Sequence, residues 1–92
     1  MPDSDYYEQI ERELVALLAD LGPDWTPEDK SAVQEELGYG EYGLALEVLA
    51  GSAVNLRRSL SPDQKTRVSS LADRIGLQGG EAITRLLKRH AA

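Results

Sequence analysis

Residues 44–50 read Leu44-Ala45-Leu46-Glu47-Val48-Leu49-Ala50, apolar nearly all round a helix and interrupted only by Glu47. A half-solvated strand would alternate apolar with polar side chains, and this run does not. A helix apolar on most of its sides belongs at the centre of a bundle, so the run predicts a core helix with others packed around it. It begins near Glu41, after the tight connection Gly38-Tyr39-Gly40, and is expected to reach Arg57. Gly51 within it marks a place where a neighbouring element can approach closely.

The same kind of start signal stands on either side of this helix. Upstream, Thr26-Pro27-Glu28-Asp29 places a capping hydroxyl before a proline at the first helical position, followed by acids that suit the helix dipole. The short helix it opens, over 27–37, has only Ala32, Val33 and Leu37 to bury, so tertiary contacts must hold it. Downstream, Ser61-Pro62-Asp63-Gln64 has capping-box spacing and opens a helix over 62–75, with Val68, Leu71, Ala72 and Ile75 as its buried stripe. The two signals align at an offset of 35 residues. That spacing is near the period of helical-hairpin repeats, but the likeness fades within about ten positions and is generic cap chemistry. A tetratricopeptide-like hairpin pair is the minor alternative.

The ends of the chain complete the bundle. Tyr7, Ile10, Leu14, Leu17, Leu18 and Leu21 recur at steps of three and four, predicting a helix over 4–21 that Gly22-Pro23 stops. Glu8 and Arg12 fall four apart on its outer face, the favourable order for an ion pair. A last helix over 80–90 carries Ala82, Ile83, Leu86 and Leu87, with Lys88, Arg89 and His90 at its cation-favouring end. Nothing remains to build a sheet. The expectation is an all-α fold, a compact bundle of about five helices, with residues 1–92 as a single domain.

Composition removes most chemistry. There is no Cys and one His, at position 90, so thiolate sites, His clusters and a catalytic His have no basis. No P-loop, zinc-protease, nucleophile-elbow or calcium-loop pattern occurs. The chain reads as a binding protein and not an enzyme, with no cofactor and no metal. No apolar run is long enough to span a bilayer, and Met1-Pro2-Asp3-Ser4-Asp5 lacks the basic start of a signal peptide, so a cytoplasmic location without membrane contact is expected.

The net charge of −6 argues against nucleic acid as a partner, but it hides a division. Residues 1–50 carry thirteen acids against Arg12 and Lys30, a charge of −11; residues 51–92 carry three acids against eight bases, a charge of +5. Such halves can attract one another within one fold, or the acidic half can offer a face to a basic partner. The aromatics bear on the second reading. Phe is absent, and Trp25, Tyr39 and Tyr42 bracket the acidic second helix. Trp25, just before a helix start, reads as a core anchor, whereas Tyr39 sits between two glycines with no evident buried role. Tyr and Trp dominate interface energetics. The candidate partner-binding residues are therefore Glu28, Asp29, Glu35, Glu36, Tyr39, Glu41 and Tyr42.

The segment Tyr39-Gly40-Glu41-Tyr42-Gly43-Leu44-Ala45-Leu46-Glu47-Val48-Leu49 adds a likeness to this physics. A Gly-Glu-x-Gly-Leu-Ala-Leu-Glu run follows a Thr-Pro-Glu helix and precedes a Leu-Ser-Pro-Asp-Gln helix. That arrangement resembles the MafI-like family of small bacterial immunity proteins, over roughly residues 26–77. The resemblance implies a protein that binds and neutralises the toxin domain of a cognate polymorphic toxin. Gly40 and Glu41 match the family's turn-then-helix signature, and Leu44, Leu46 and Leu49 match its buried positions. It further implies that this motif maintains the scaffold while the specificity surface lies elsewhere.

A nuclease toxin is basic where it binds phosphate, and an acidic helical scaffold can occlude such a site. The competing reading is a helical adaptor or regulatory module whose acidic half docks another basic protein. A helix-turn-helix DNA binder would draw on Arg57, Arg58, Arg67, Arg74, Arg85 and Arg89, but it lacks a recognition helix rich in Gln, Asn and Ser. So small a domain also stands to gain stability by pairing as a homodimer.

Overall fold

The computed structural model describes residues 2–76 and 83–86. It contains α1 (Pro2–Ala19), α2 (Pro27–Gly38), α3 (Tyr42–Asn55) and α4 (Pro62–Ile75). Residues 83–86 are also helical, with Ile83 and Leu86 fully buried; the rest of the expected helix over 80–90, His90 included, lies outside the described residues. No strand occurs among the described residues, and the fold is all-α. Helix α3 packs against α1, α2 and α4, and so occupies the centre of the bundle.

Both start signals fold as capping boxes. Asp29 N–H donates to Thr26 Oγ1 at 3.1 Å, while Thr26 N–H donates back to the Asp29 carboxylate at 2.8 Å. Gln64 N–H donates to Ser61 Oγ at 3.1 Å, and Ser61 N–H to Gln64 Oε1 at 2.8 Å. Each satisfies two backbone groups that a helix start would otherwise leave bare. The 35-residue echo is thus two copies of one cap.

The helix ends differ from expectation in informative ways. α1 stops at Ala19, two residues before Leu21: Asp20 N–H is shared between the carbonyls of Ala16 and Leu17, and Leu21 N–H bonds Leu18 O, a tightening of the last turn. α2 ends with Gly40 in the left-handed region, φ +73°; Gly40 N–H bonds Leu37 O at 3.0 Å and Glu41 N–H reaches back to Glu36 O at 2.9 Å. α3 ends at Asn55 rather than Arg57, because Arg57 itself turns left-handed with φ +56°. α4 closes on Gly76, φ +87°.

The core is built from Ile10, Leu14, Leu17 and Leu18 of α1, Val33 and Leu37 of α2, Ala45, Leu46, Leu49, Ala50 and Ala53 of α3, and Val68, Leu71 and Ala72 of α4. Trp25 joins it, 3% exposed, with its indole N–H donating to Ser59 O at 2.8 Å. Three expected core positions, Tyr7, Ala32 and Leu44, are exposed, while Val48 and Ile75 are half-buried against the core's edge. Tyr7 is 51% exposed and Leu44 is 53% exposed. Tyr7 stands at the outer end of the α1 stripe, and Leu44 projects from α3 on the side away from Leu46 and Leu49. Among the described residues Gly51 admits no close neighbour either: a methyl group placed there would meet its own helix's Asn55 side chain, 3.9 Å away.

The two oppositely charged halves hold one another. Asp29 pairs with Arg58 at 2.8 Å, Asp20 with Arg67 at 3.1 Å and Glu13 with Arg74 at 2.6 Å, each an acid of the first fifty residues with a base of the remainder. Asp24 accepts the Ser59 N–H at 2.6 Å, and the Gln64 amide donates to Asp20 O at 2.7 Å. The Asp24 and Asp29 contacts fasten the corner before α2 and the first turn of α2 to the α3–α4 connection, while those of Glu13 and Asp20 tie α1 and its end to α4.

Candidate functional site

An acid that makes an internal bond is withdrawn from a partner, so the pairings above sort the acidic half. Asp29, one of the candidates, is withdrawn. It is 7% exposed, and Thr26, chiefly through its backbone N–H, with Arg58 after it, holds its carboxyl below the usual carboxylate range against the opposing effect of burial. Asp24 is lowered chiefly by the Ser59 N–H and Glu13 by its hydrogen bond to Arg74. These groups are structural.

Glu28, Glu35 and Glu41 are exposed, Glu36 is half-buried, and none of the four forms an ion pair among the described residues. Their placement follows from helix geometry. Positions 28, 35 and 39 are seven and eleven residues apart, which brings Glu28, Glu35 and Tyr39 onto one line along α2. Glu36 flanks that line, and Glu41 follows across the Gly40 turn. Tyr39 is 74% exposed at the end of the helix, beyond any core contact.

Tyr42 behaves differently. It is half-buried at the start of α3, and its ring stacks on Tyr7 of α1, with centroids 5.9 Å apart and planes 20° from parallel. Tyr7 in turn meets Tyr6 edge-on at 5.4 Å and 67°. The result is a run of three rings, Tyr6–Tyr7–Tyr42, with Tyr6 and Tyr7 both exposed. The Tyr6 hydroxyl donates to the Arg74 carbonyl, anchoring one end of the run to α4. Sequence reasoning missed Tyr6 and Tyr7. The available signal was their adjacency: neighbours on a helix point about 100° apart, so both cannot face one core.

Two depressions lie among the described residues. One, of about 190 Å³, lies between α1 and α2 and is lined by Val15, Leu18, Ala19, Lys30 and Gln34. A broader one, of about 590 Å³, lies at the corner formed by Gly22, Pro23, Asp24, Ser59 and Leu60. Its polar walls are already bonded to one another, Asp24 to Ser59 and Asp20 to Gln64 and Arg67.

Among the described residues no three His, Asp or Glu side chains are placed to share a metal ion, and no helix is long and apolar enough to cross a membrane. No family model matches the chain, and neither a curated protein nor a solved structure shows significant similarity to it. The site must be read from its own geometry: uncommitted carboxylates along one helix and the turn after it, with exposed aromatic rings at the start of the bundle.

Proposed function

We propose that this chain is an immunity protein that binds a basic toxin domain through the Glu28–Glu35–Tyr39 line of α2, with Glu36 and Glu41 beside it. The observation that carries the reading is the sorting of the acids. Those at the corners are consumed by Arg58, Arg67, Arg74 and Ser59, while the four on α2 and its following turn are left open beside an exposed tyrosine. A rigid line of negative charge steers a basic partner and rejects acidic ones, and an aromatic side chain supplies the desolvated anchor that charge alone does not. The likeness of residues 39–49 to the MafI-like immunity family supplies the biological setting: a cytoplasmic protector against a toxin exchanged between competing bacteria.

The test is rescue. The reading expects a toxin domain encoded beside this chain's gene; that domain is expressed with and without the chain, and growth is followed. Protection that is lost on reversing Glu35 and Glu36 to Lys supports the reading. Failure of the wild-type chain to protect overturns it. The adaptor reading keeps the same surface and differs in outcome: a basic protein other than a toxin is bound through Glu35 and Glu36, and no protection is seen.

A further inference from the structure

Helix α3 turns one face to the core, and no other helix among the described residues covers the middle of the opposite one. Ala45, Leu46, Leu49, Ala50 and Ala53 are the buried set. Leu44, Val48, Gly51 and Asn55 follow one another at steps of four, three and four along the outer side, the spacing at which one helix meets another along a seam. Leu44 is 53% exposed, Gly51 is half-buried, Val48 is half-buried with one side resting on the core and the other open, and Asn55 is exposed. The open space above Gly51 permits a close approach that no element among the described residues makes.

The ends of this face carry opposite charges. Glu41 stands at its start and Arg57 just past its finish, both exposed, neither in an ion pair among the described residues. They are sixteen residues apart, roughly 24 Å along a helix at about 1.5 Å per residue. Arg57 also holds a left-handed backbone, φ +56°, which disfavours any residue with a side chain and is most comfortable for glycine.

We infer that the outer face of α3 pairs with the same face of a second copy of this chain, the two helices running antiparallel about a two-fold axis. Antiparallel pairing centred between Val48 and Gly51 sets each Val48 against the partner helix's glycine notch. It places each Leu44 near the far end of the opposite helix, and each Glu41 beside the opposite Arg57. One sequence supplies both halves of every contact, as a two-fold interface requires. With only one helix face involved, the interface is smaller than an obligate one and the association is reversible. This pairing leaves the Glu28–Glu35–Tyr39 line of α2 unused and shares only Glu41 with the proposed toxin surface, so the Gly51 and Leu44 variants are the ones that separate pairing from toxin binding.

Sedimentation of the full chain over a concentration series tests it, with thermal melts alongside. The wild type is expected to show a monomer–dimer equilibrium. Gly51→Leu should raise the dissociation constant at least tenfold while leaving the fold as stable or more so, because it fills the notch and improves helix propensity. Leu44→Glu should do the same from an already exposed position. Glu41→Lys should weaken pairing, and adding Arg57→Glu should restore it. A wild-type chain that stays monomeric to millimolar concentration overturns the inference, as does a Gly51→Leu or Leu44→Glu chain that is folded and dimerises as well as wild type.

Discussion

A single carboxylate oxygen of Asp29, Oδ2, accepts both the Thr26 backbone N–H and the Arg58 Nε–H, each at 2.8 Å. One atom therefore closes the cap of α2 and ties that cap to the connection leading into α4. Thr26→Ala removes only the hydroxyl side of the box and should cost about 1 kcal/mol, lowering the melting temperature by roughly 4–8 °C. Asp29→Ala removes the return bond and the arginine partner together and should lower it further than Thr26→Ala. Glu28→Gln, one residue away and solvated, should leave it unchanged. Thermal unfolding of the three variants ranks them, and an Asp29→Ala chain as stable as wild type would contradict the double role.

Gly38 and Gly40 flank Tyr39 and should respond oppositely to the same change. Neither has an atom within 4 Å of where a methyl group would stand, so only backbone conformation distinguishes them. Gly38 is helical, and Gly38→Ala should stabilise by about 0.5–1 kcal/mol. Gly40 has φ +73°, and Gly40→Ala should destabilise by about 1–2 kcal/mol. Chemical denaturation midpoints of the pair provide the check.

Acid should unfold the chain by releasing its corners. Glu13, Asp24 and Asp29 all titrate below their ordinary values, held down by Arg74, Ser59 and Thr26 respectively. A carboxyl lowered in the folded state contributes stability that is fully present above its unfolded value and is lost as pH falls through the folded one. Stability should therefore be level down to about pH 5 and decline below about pH 4. Arg74, raised by Glu13, stays charged throughout and adds no second transition. Urea midpoints across this range should shift less in the Glu13→Gln chain than in the wild type.

Association with a basic toxin should separate the charges from the rings. Reversing Glu35 and Glu36 to Lys should slow association by about tenfold at low salt and flatten its salt dependence, because steering acts before contact. Tyr39→Ala should leave the on-rate nearly intact and speed dissociation, because an anchor acts once docked. Stopped-flow or surface-binding kinetics resolve the two; equal effects of both changes on the on-rate would remove the distinction.

How far the fold was legible follows from the range over which each signal acts. Thr26 to Asp29 and Ser61 to Gln64 are three residues apart, and both caps form as their spacing demands. The stripe from Ile10 to Leu18 and the buried half of α3 are equally local. What was not legible depends on partners far along the chain. Tyr7 continues the apolar stripe by spacing alone, yet it meets Tyr42, thirty-five residues away, on the surface. Leu44 sits in an apolar run, but only the position of α3 among its neighbours decides which of its sides goes uncovered. Asp29 resembles Glu28 in sequence and is removed from the candidate surface by Arg58, a residue no local reading connects to it. The early halt of α3 rests on the left-handed turn at Arg57, where nothing in the residue type announces it.

The Ser59 corner and the Tyr39 turn differ in what a change of sequence would break. At Ser59 the backbone N–H is taken by Asp24 and the carbonyl by Trp25, so replacing either partner or altering the loop's length disturbs both. At Tyr39 the turn is closed by backbone bonds and one glycine, while the Tyr39 ring lies open to solvent. A lineage could exchange Tyr39, Glu35 or Glu41 and acquire a new target with its scaffold untouched. On the proposed function, the bundle separates heritable framework from disposable address, and diversification under pressure from changing partners has a place to happen that costs the fold little.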